Sequence, residues 1–203
     1  LGVFLVDPGA DGVTVVTEEA TNRQIHGELA LDGVVVADAE VVGDPTGGAE
    51  VIEWLLARAK LGLAALAVGV CEQALRDTAE YTSERHQFGR PLSTNQGVAL
   101  RAADAYIDTE AMRATLWSAA WRLTEGLPAE QEVAIAKWWA TEGGHRVVHS
   151  TQHLHGGIGA DIDYPLHRTF LWAKQAGDTF GGASHTLVGL GADLAAAAKE
   201  GAA

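Results

Sequence analysis

Arg85, Phe88, Gly89, Pro91 and Gln96 crowd into one stretch, YTSERHQFGRPLSTNQ, running from Tyr81 to Gln96. A guanidinium on the last turn of a helix can reach past its own helix and offer a planar fork of donors to an anion. Gly89 and Pro91 are helix-stopping residues, so they are expected to end one helix. Asn95 or Thr94 is expected to cap the next, satisfying amide donors left free by its first turn. The plain reading is a helix–turn–helix corner with a surface arginine. The sharper one is a docking corner for an anionic ligand.

A second cluster lies downstream. His145, His149 and His153 are spaced four apart, which puts them on one helix face, and His155 follows. That is a zinc-ligand spacing. Only Glu142 and Asp161 could complete a metal site locally, and there is no HExxH, so surface, interface or ligand-contact histidines fit better and no metal site is expected. The turn His155-Gly156-Gly157-Ile158-Gly159 lets backbone approach a ligand without side-chain obstruction. It follows a helical pattern rather than a strand, so it is not a dinucleotide-binding fingerprint. No Walker A motif occurs, and Ser83, Ser93 and Ser184 lie outside any nucleophile-elbow context.

The elements that must position these residues fall into two groups. Residues 1–48 read as strands: Val3 to Val6, Val13 to Val16, Glu28 to Leu31 and Gly33 to Val36, with Asp32-Gly33 as a hairpin signal. Asp44-Pro45-Thr46-Gly47-Gly48 reads as a linker. Beyond it the composition turns to Ala, Leu, Glu and Arg. Helical patterns follow over Glu50 to about Tyr81, Asn95 to about Glu125, Pro128 to about His153, and Pro165 to about Ala198, the last broken near Gly177 to Ala183. The first is apolar nearly all round at Leu61 to Cys71 and is expected to be buried on several sides. Gly62 and Gly69 within it suggest close approach of a backbone or a flat ligand, and Gly143-Gly144 a soft spot in the third. Core or subunit packing is the default for Trp117, Trp121, Trp138 and Trp139. The expected fold is mainly α: a four-helix bundle over 49–203 preceded by the end of a β domain over 1–48.

Composition narrows the function. The 203 residues carry a net charge of −13, which argues against nucleic acid or an anionic membrane as partner. The single cysteine, Cys71, excludes an intrachain disulfide framework and fits a cytoplasmic location. The uncharged run Leu61 to Cys71 is too short to span a bilayer. The chain opens on Leu1, directly in a strand-like run and without a signal-peptide pattern, which reads as a fragment.

Tyr81, Arg85, Phe88-Gly89 and Gln96 together resemble the YxxxRxxFGxxxxxxQ signature of the acyl-CoA dehydrogenase family. Ala136-Lys137, His155 to Gly159, and then Asp163, Tyr164, Pro165 and Arg168 resemble further motifs of that family, in order. The lead-in, FLVDPGADGVTV and LALDGVVVADAEVVGD, looks like the end of its middle β domain. The resemblance implies the four-helix-bundle C-terminal half of an FAD-dependent enzyme that oxidises an acyl-CoA thioester to the enoyl-CoA. It implies FAD shared across a subunit boundary, with Arg85 on the pyrophosphate, Phe88 packed on the cofactor, Gln96 hydrogen-bonded to it, and Gly156 and Gly157 admitting it. His153 stands where the family commonly has glutamine, beside Gln152.

The sequence departs from the family at the catalytic base. The matching stretch is Thr179 to Ser184, so the base position falls on Phe180 or Gly181. The family's alternative position, on the first bundle helix, falls on Ala59 before Lys60. Phe180, Gly181 and Ala59 carry no carboxylate to accept a proton, and Asp178 is the remaining nearby acid. Leu171-Trp172 replaces an expected Arg-Asp pair. The run GGIGADIDYPLHRTFLWAKQ resembles actinobacterial members that form mixed α2β2 tetramers, several acting on steroid side chains. The implied protein is a non-catalytic subunit completing the FAD site for a partner that carries the glutamate. The alternatives are a catalytic dehydrogenase with a relocated base, and a non-enzymatic assembly protein of the same fold.

Overall fold

A computed structural model describes residues 1–200, with side chains through Lys199. Two compact units divide it, Leu1–Arg58 and the remainder from Ala59 onward.

In the first unit, β1 (Val13–Glu19) and β2 (Ile25–Leu31) form an antiparallel hairpin with Val16 opposite Glu28. Both strands begin or end where the sequence indicates, but the reversal sits at Ala20 to Gln24, not at Asp32-Gly33. Asn22 stabilises it by accepting from the Gln24 N–H at 3.2 Å. Asp32-Gly33 lies just past β2, where Asp32 N–H donates to the Gly12 carbonyl. Val3 to Val6 contributes one bridge, Phe4 to Val41, and Gly33 to Val36 forms no strand. A short run of apolar residues supplies the propensity for a strand, but pairing requires a partner edge.

The helices are α1 (Gly48–Glu84), α2 (Gln96–Thr124), α3 (Glu130–His155), α4 (Leu166–Asp178) and α5 (Ala183–Glu200). The mainly α character and the helical bundle expected from the sequence are therefore present, with the fourth helical region split in two. α3 is the axis of the second unit and packs against α2, α4 and α5. Val133, Ala136, Ala140, Val147 and Val148 of α3 are buried among Ala105, Met112 and Ala119 of α2, Ala64, Ala67, Val68 and Cys71 of α1, and Ala173 and Ala176 of α4. The predominance of alanine lets helix axes approach closely. Gly143-Gly144 serves the same end: a Cβ on Gly143 would stand 3.2 Å from Met112 Cγ. The pair is a packing contact, not a soft spot.

Several local expectations change. α3 begins at Glu130, so Pro128 precedes the first turn instead of occupying it. α1 stops at Glu84, before Gly89 and Pro91. Only part of its Leu61–Cys71 segment is buried, Leu66 being 39% exposed, and nothing among the described residues approaches Gly62 or Gly69 closely. α1 also contains a stretch with mean hydropathy 1.6, long and apolar enough by composition to cross a membrane, although its uncharged run is short. The core helix of a water-soluble bundle meets the same criterion. Trp117 and Trp121 lie exposed on α2 rather than in the core, whereas Trp138 and Trp139 are half-buried on α3 and pack edge to face.

Candidate functional site

Between α1 and α2 the chain makes a miniature hairpin. β3 (His86–Gln87) pairs with β4 (Arg90–Pro91), leaving Phe88 and Gly89 as the turn. Both turn residues have positive φ, 56° and 77°, the signature of a two-residue primed turn that matches strand twist. Glycine takes this conformation freely. For phenylalanine it is a steric outlier. Phe88 is also 94% exposed, so no packing among the described residues offsets either the strain or the wet aromatic ring. Strain of this kind persists where function requires the displayed side chain.

Arg85 precedes this hairpin directly and is exposed, with no hydrogen-bonding or ionic partner for its guanidinium among the described residues. Its backbone is held firmly: Arg85 N–H donates to the Tyr81 carbonyl, and the Arg85 carbonyl accepts from Leu92 N–H, both at 2.8 Å. Gln96 is exposed at the first residue of α2. Asn95 occupies the N-cap position, but its side chain does not cap. It accepts from Arg90 at 2.6 Å and donates to the Leu92 carbonyl, stiffening the loop in place of the helix start. Thr94 turns back to the Pro91 carbonyl.

The second motif lies at the end of α3. Gly156 closes that helix at φ 70°, ψ −147°, a combination open essentially to glycine alone. Residues Gly156–Ala160 form a short 3-10 turn, α3's continuation. A Cβ at Gly156 or Gly157 would meet nothing within 4 Å, so their missing side chains leave open space in front of the backbone. Gly159 is different: its Cβ would stand 2.7 Å from the Gln152 carbonyl, so this glycine is needed to fold the turn back onto α3.

Tyr81 and His155 tie the two motifs together. Their rings stack with centroids 4.4 Å apart, and Tyr81 Oη donates to the His155 carbonyl at 3.4 Å. The arginine corner starts four residues after Tyr81, and the glycine turn starts one residue after His155. Anchoring the stack therefore fixes both. His155 is buried, and its Nδ1 lies 2.9 Å from the Thr151 carbonyl, which makes that nitrogen the protonated one; its Nε2 has no partner. Burial lowers its pKa below the ordinary value, so the ring is held neutral.

Exposed His153 belongs to a groove of about 570 Å³ lined by Arg101, His149, Gln152, His153, Gly156 and Ala160. The groove unites His153, Gln152 and Gly156, and adds Arg101 from α2 and His149. Arg101 was not legible as a site residue in the sequence, because a single arginine on an amphipathic helix looks like solvated surface. His145 separates from this groove, and the His149 ring is also held from α4. His145 packs on Gly177 of α4 and His149 sets its ring edge-to-face with Phe170 at 4.9 Å. No group of three metal-ligating side chains converges among the described residues.

The turn between α4 and α5 holds the stretch expected to carry a base. Phe180 stands there at φ 59° and Gly181 at φ 101°. Phe180 is 48% exposed, and His185 packs against Gly181. Asp178 is exposed at the C-terminal end of α4. Behind the turn, Lys137 is fully buried and donates to the carbonyls of Gly177 at 2.6 Å and Gly181 at 3.0 Å and to the Thr141 hydroxyl at 3.0 Å. Burial pushes its pKa down to about 8.

Taken together, an unpaired guanidinium, a strained exposed aromatic, an exposed amide and an unobstructed glycine backbone converge on the requirements of a large, flat, anionic ligand. The residues 46–193 match the acyl-CoA dehydrogenase C-terminal domain, which covers more than half of the chain. The chain belongs to the acyl-CoA dehydrogenase family. Members of that family are FAD flavoproteins, and the residues just described fit such a cofactor: the fork of Arg85 suits a pyrophosphate, and the Phe88 ring a planar face. The chain is 43% identical over 201 residues to the acyl-CoA dehydrogenase FadE27 of Mycobacterium tuberculosis, with 95% of this chain aligned to 53% of that one. Among solved structures it is similar to the ChsE4–ChsE5 complex from Mycobacterium tuberculosis, at 45% identity and a TM-score of 0.90, over 96% of this chain and 52% of that one. It is also similar to the Tcur3481–Tcur3483 steroid ACAD, at 47% identity and a TM-score of 0.90, over 98% of this chain and 53% of that one. The chain thus spans about half the length of the proteins it matches.

Proposed function

We propose that this chain is a subunit of a heteromeric, cytoplasmic FAD-dependent acyl-CoA dehydrogenase in which it completes the cofactor site, while a second subunit carries the glutamate base. Residues 1–48 then form the end of a middle β domain and 49–203 the C-terminal bundle domain. The observation that carries this reading is Phe88: a strained aromatic, 94% exposed, beside an unpaired arginine, is built to be covered by a ligand. The similarity to a two-component complex, ChsE4–ChsE5, supports a mixed assembly.

In this reading the bound FAD supplies a hydride acceptor for α,β-dehydrogenation of an acyl-CoA thioester. The chain's own residues bind and orient. Arg85 would meet the pyrophosphate charge with its guanidinium fork. Phe88 gives a flat apolar surface, Gln96 donates and accepts through its amide, and Gly156 and Gly157 let backbone approach. His153, with Gln152 beside it, borders the same ligand. None of these residues removes a proton. A positioned base contributes roughly 10²–10⁴-fold to such a step, and Ala59, Phe180 and Gly181 provide no carboxylate for it. Asp178 lies exposed at a helix C-terminus, with no side-chain hydrogen bond among the described residues to orient it as a base.

Co-expression with a second dehydrogenase subunit that carries the glutamate, followed by mass measurement, flavin spectroscopy and an artificial-acceptor assay, tests the proposal. The expected result is an α2β2 flavoprotein whose turnover needs both chains and survives Asp178→Asn. Full turnover by this chain alone, or abolition by Asp178→Asn, would show that it carries its own base. A complex without flavin would leave only an assembly role.

A further inference from the structure

Lys137 is the most completely buried cation among the described residues, and the proposed function makes no use of it. An ammonium has three N–H donors. Here all three are spent, on the Gly177 carbonyl, the Gly181 carbonyl and the Thr141 hydroxyl. No carboxylate forms a direct ion pair with it among the described residues; its charge is met by backbone dipoles and, at longer range, by the Asp178 carboxylate, which favours the charged form. Gly177 is in the last turn of α4, where carbonyls lack intrahelical partners and the helix end carries partial negative charge. Lys137 therefore caps α4 from the neighbouring helix. Thr141, one turn further along α3, donates to Gly177 or to the Lys137 carbonyl, both at 3.0 Å.

The second observation is independent. The turn so gripped contains two consecutive left-handed residues, Phe180 and Gly181. A phenylalanine at φ 59° does not hold that conformation by itself. Gly181, whose carbonyl takes one of the lysine bonds, is the next residue. A buried charge is an expensive way to stabilise a bundle, since an apolar side chain of the same size usually does as well. Holding one strained turn in one geometry is a task for which three directed bonds are suited and apolar contact is not.

We propose that Lys137 is a positioning residue that locks the strained Asp178–Gly181 turn and thereby fixes the half-exposed Phe180 ring as a wall of the acyl-CoA site. This deepens the reading of the chain as an acyl-CoA dehydrogenase subunit and rests on it for the identity of the ligand. Lys137 acts through Phe180 and touches neither substrate nor cofactor.

The experiment uses the full-length protein assembled with its partner, as wild type, Lys137→Met, Thr141→Val, Phe180→Gly and the Lys137→Met/Phe180→Gly double variant. Hydrogen exchange is read peptide by peptide, and KM for acyl-CoA, kcat and flavin content are measured. Lys137→Met is expected to lose protection at residues 178–183 and to raise KM about tenfold, since small displacements of a positioned group have effects of that order or more, with flavin content retained. Thr141→Val, which removes one acceptor and keeps the shape, is expected to act in the same direction more weakly, and it keeps the test open if Lys137→Met does not fold. The double variant is expected to match the worse single variant, because the two residues act as one unit. Unchanged protection at 178–183 in Lys137→Met or Thr141→Val overturns the proposal. So does a loss of thermal stability with KM unaltered. A wild-type assembly without flavin or turnover overturns the functional reading instead, and exchange at the turn still decides whether Lys137 holds it.

Discussion

Phe88 and Phe180 are both non-glycine residues at positive φ, each followed by a glycine that is also left-handed, and each is substantially exposed. A left-handed L-residue costs roughly 1–2 kcal/mol, partly set against the 0.5–1 kcal/mol entropic cost of glycine. Phe88→Gly is therefore expected to leave the melting temperature unchanged or slightly higher while lowering flavin retention in the assembled complex, measured by thermal denaturation and by absorbance of bound flavin. Arg85→Ala is expected to release flavin more completely, with little change in stability, since its guanidinium has no partner among the described residues. Loss of stability with flavin fully retained in Arg85→Ala would remove it from the site. The identities of these residues were legible in the sequence as Arg-x-x-Phe-Gly spacing. Their exposure was not, because exposure depends on which surfaces fold over the turn.

At the scale of elements, the decisive features are the ends of α1, α3 and α4. The Tyr81–His155 stack couples the first two, and the Lys137–Thr141 clamp holds the third. Glycines mark where these ends pack closely. Gly159→Ala would place a Cβ 2.7 Å from the Gln152 carbonyl, and Gly177→Ala would place one 2.7 Å from His145 Nε2. Gly159→Ala meets backbone, so it is expected to cost about 1–3 kcal/mol and to weaken flavin binding by displacing the glycine turn. Gly177→Ala meets a half-buried ring that can tilt, so a smaller loss is expected from denaturant titration. Helix existence was readable from apolar periodicity, and the corrections concern ends: Asn95 does not cap α2, Pro128 is not in α3, and the β1–β2 reversal lies before Asp32-Gly33. A cap depends on where a side chain finds its best acceptor. Asn95 finds Arg90 and Leu92, which lie in the loop.

Over the whole molecule, three titrating histidines and one lysine contribute to the pH dependence. Burial lowers the pKa of His145, His149 and His155 from the ordinary 6.5, with Lys174 adding to the first two. A lowered folded-state value means that the unfolded chain binds more protons, so this contribution is complete above about pH 6.5 and is lost as pH falls through the folded values. The chain is expected to lose stability from pH 7 toward pH 5, and His155→Phe, which keeps the stack on Tyr81, is expected to flatten that slope in thermal melts at stepped pH. Lys137, moved from 10.5 to about 8, has the same sign in another window: its contribution rises between pH 8 and 10.5, where the unfolded chain holds a proton that the folded one has released, while Cys71, pushed from 9.0 to about 12 by burial, acts in the opposite direction above pH 9.

The sequence by itself determined the class of the fold, the order of the helices and the family, because apolar periodicity and short motifs are local and each is fixed by its own residues. It also determined that no carboxylate occupies the positions of Phe180, Gly181 or Ala59. The tertiary structure alone decided that Arg101 joins His153 and Gly156 in one groove, that Lys137 reaches two carbonyls forty and more positions away, and that Phe88 stands out bare beside an unpaired arginine. These are statements about which surfaces meet. They depend on how α3 packs against its neighbours, and no window of sequence contains both sides of such a contact.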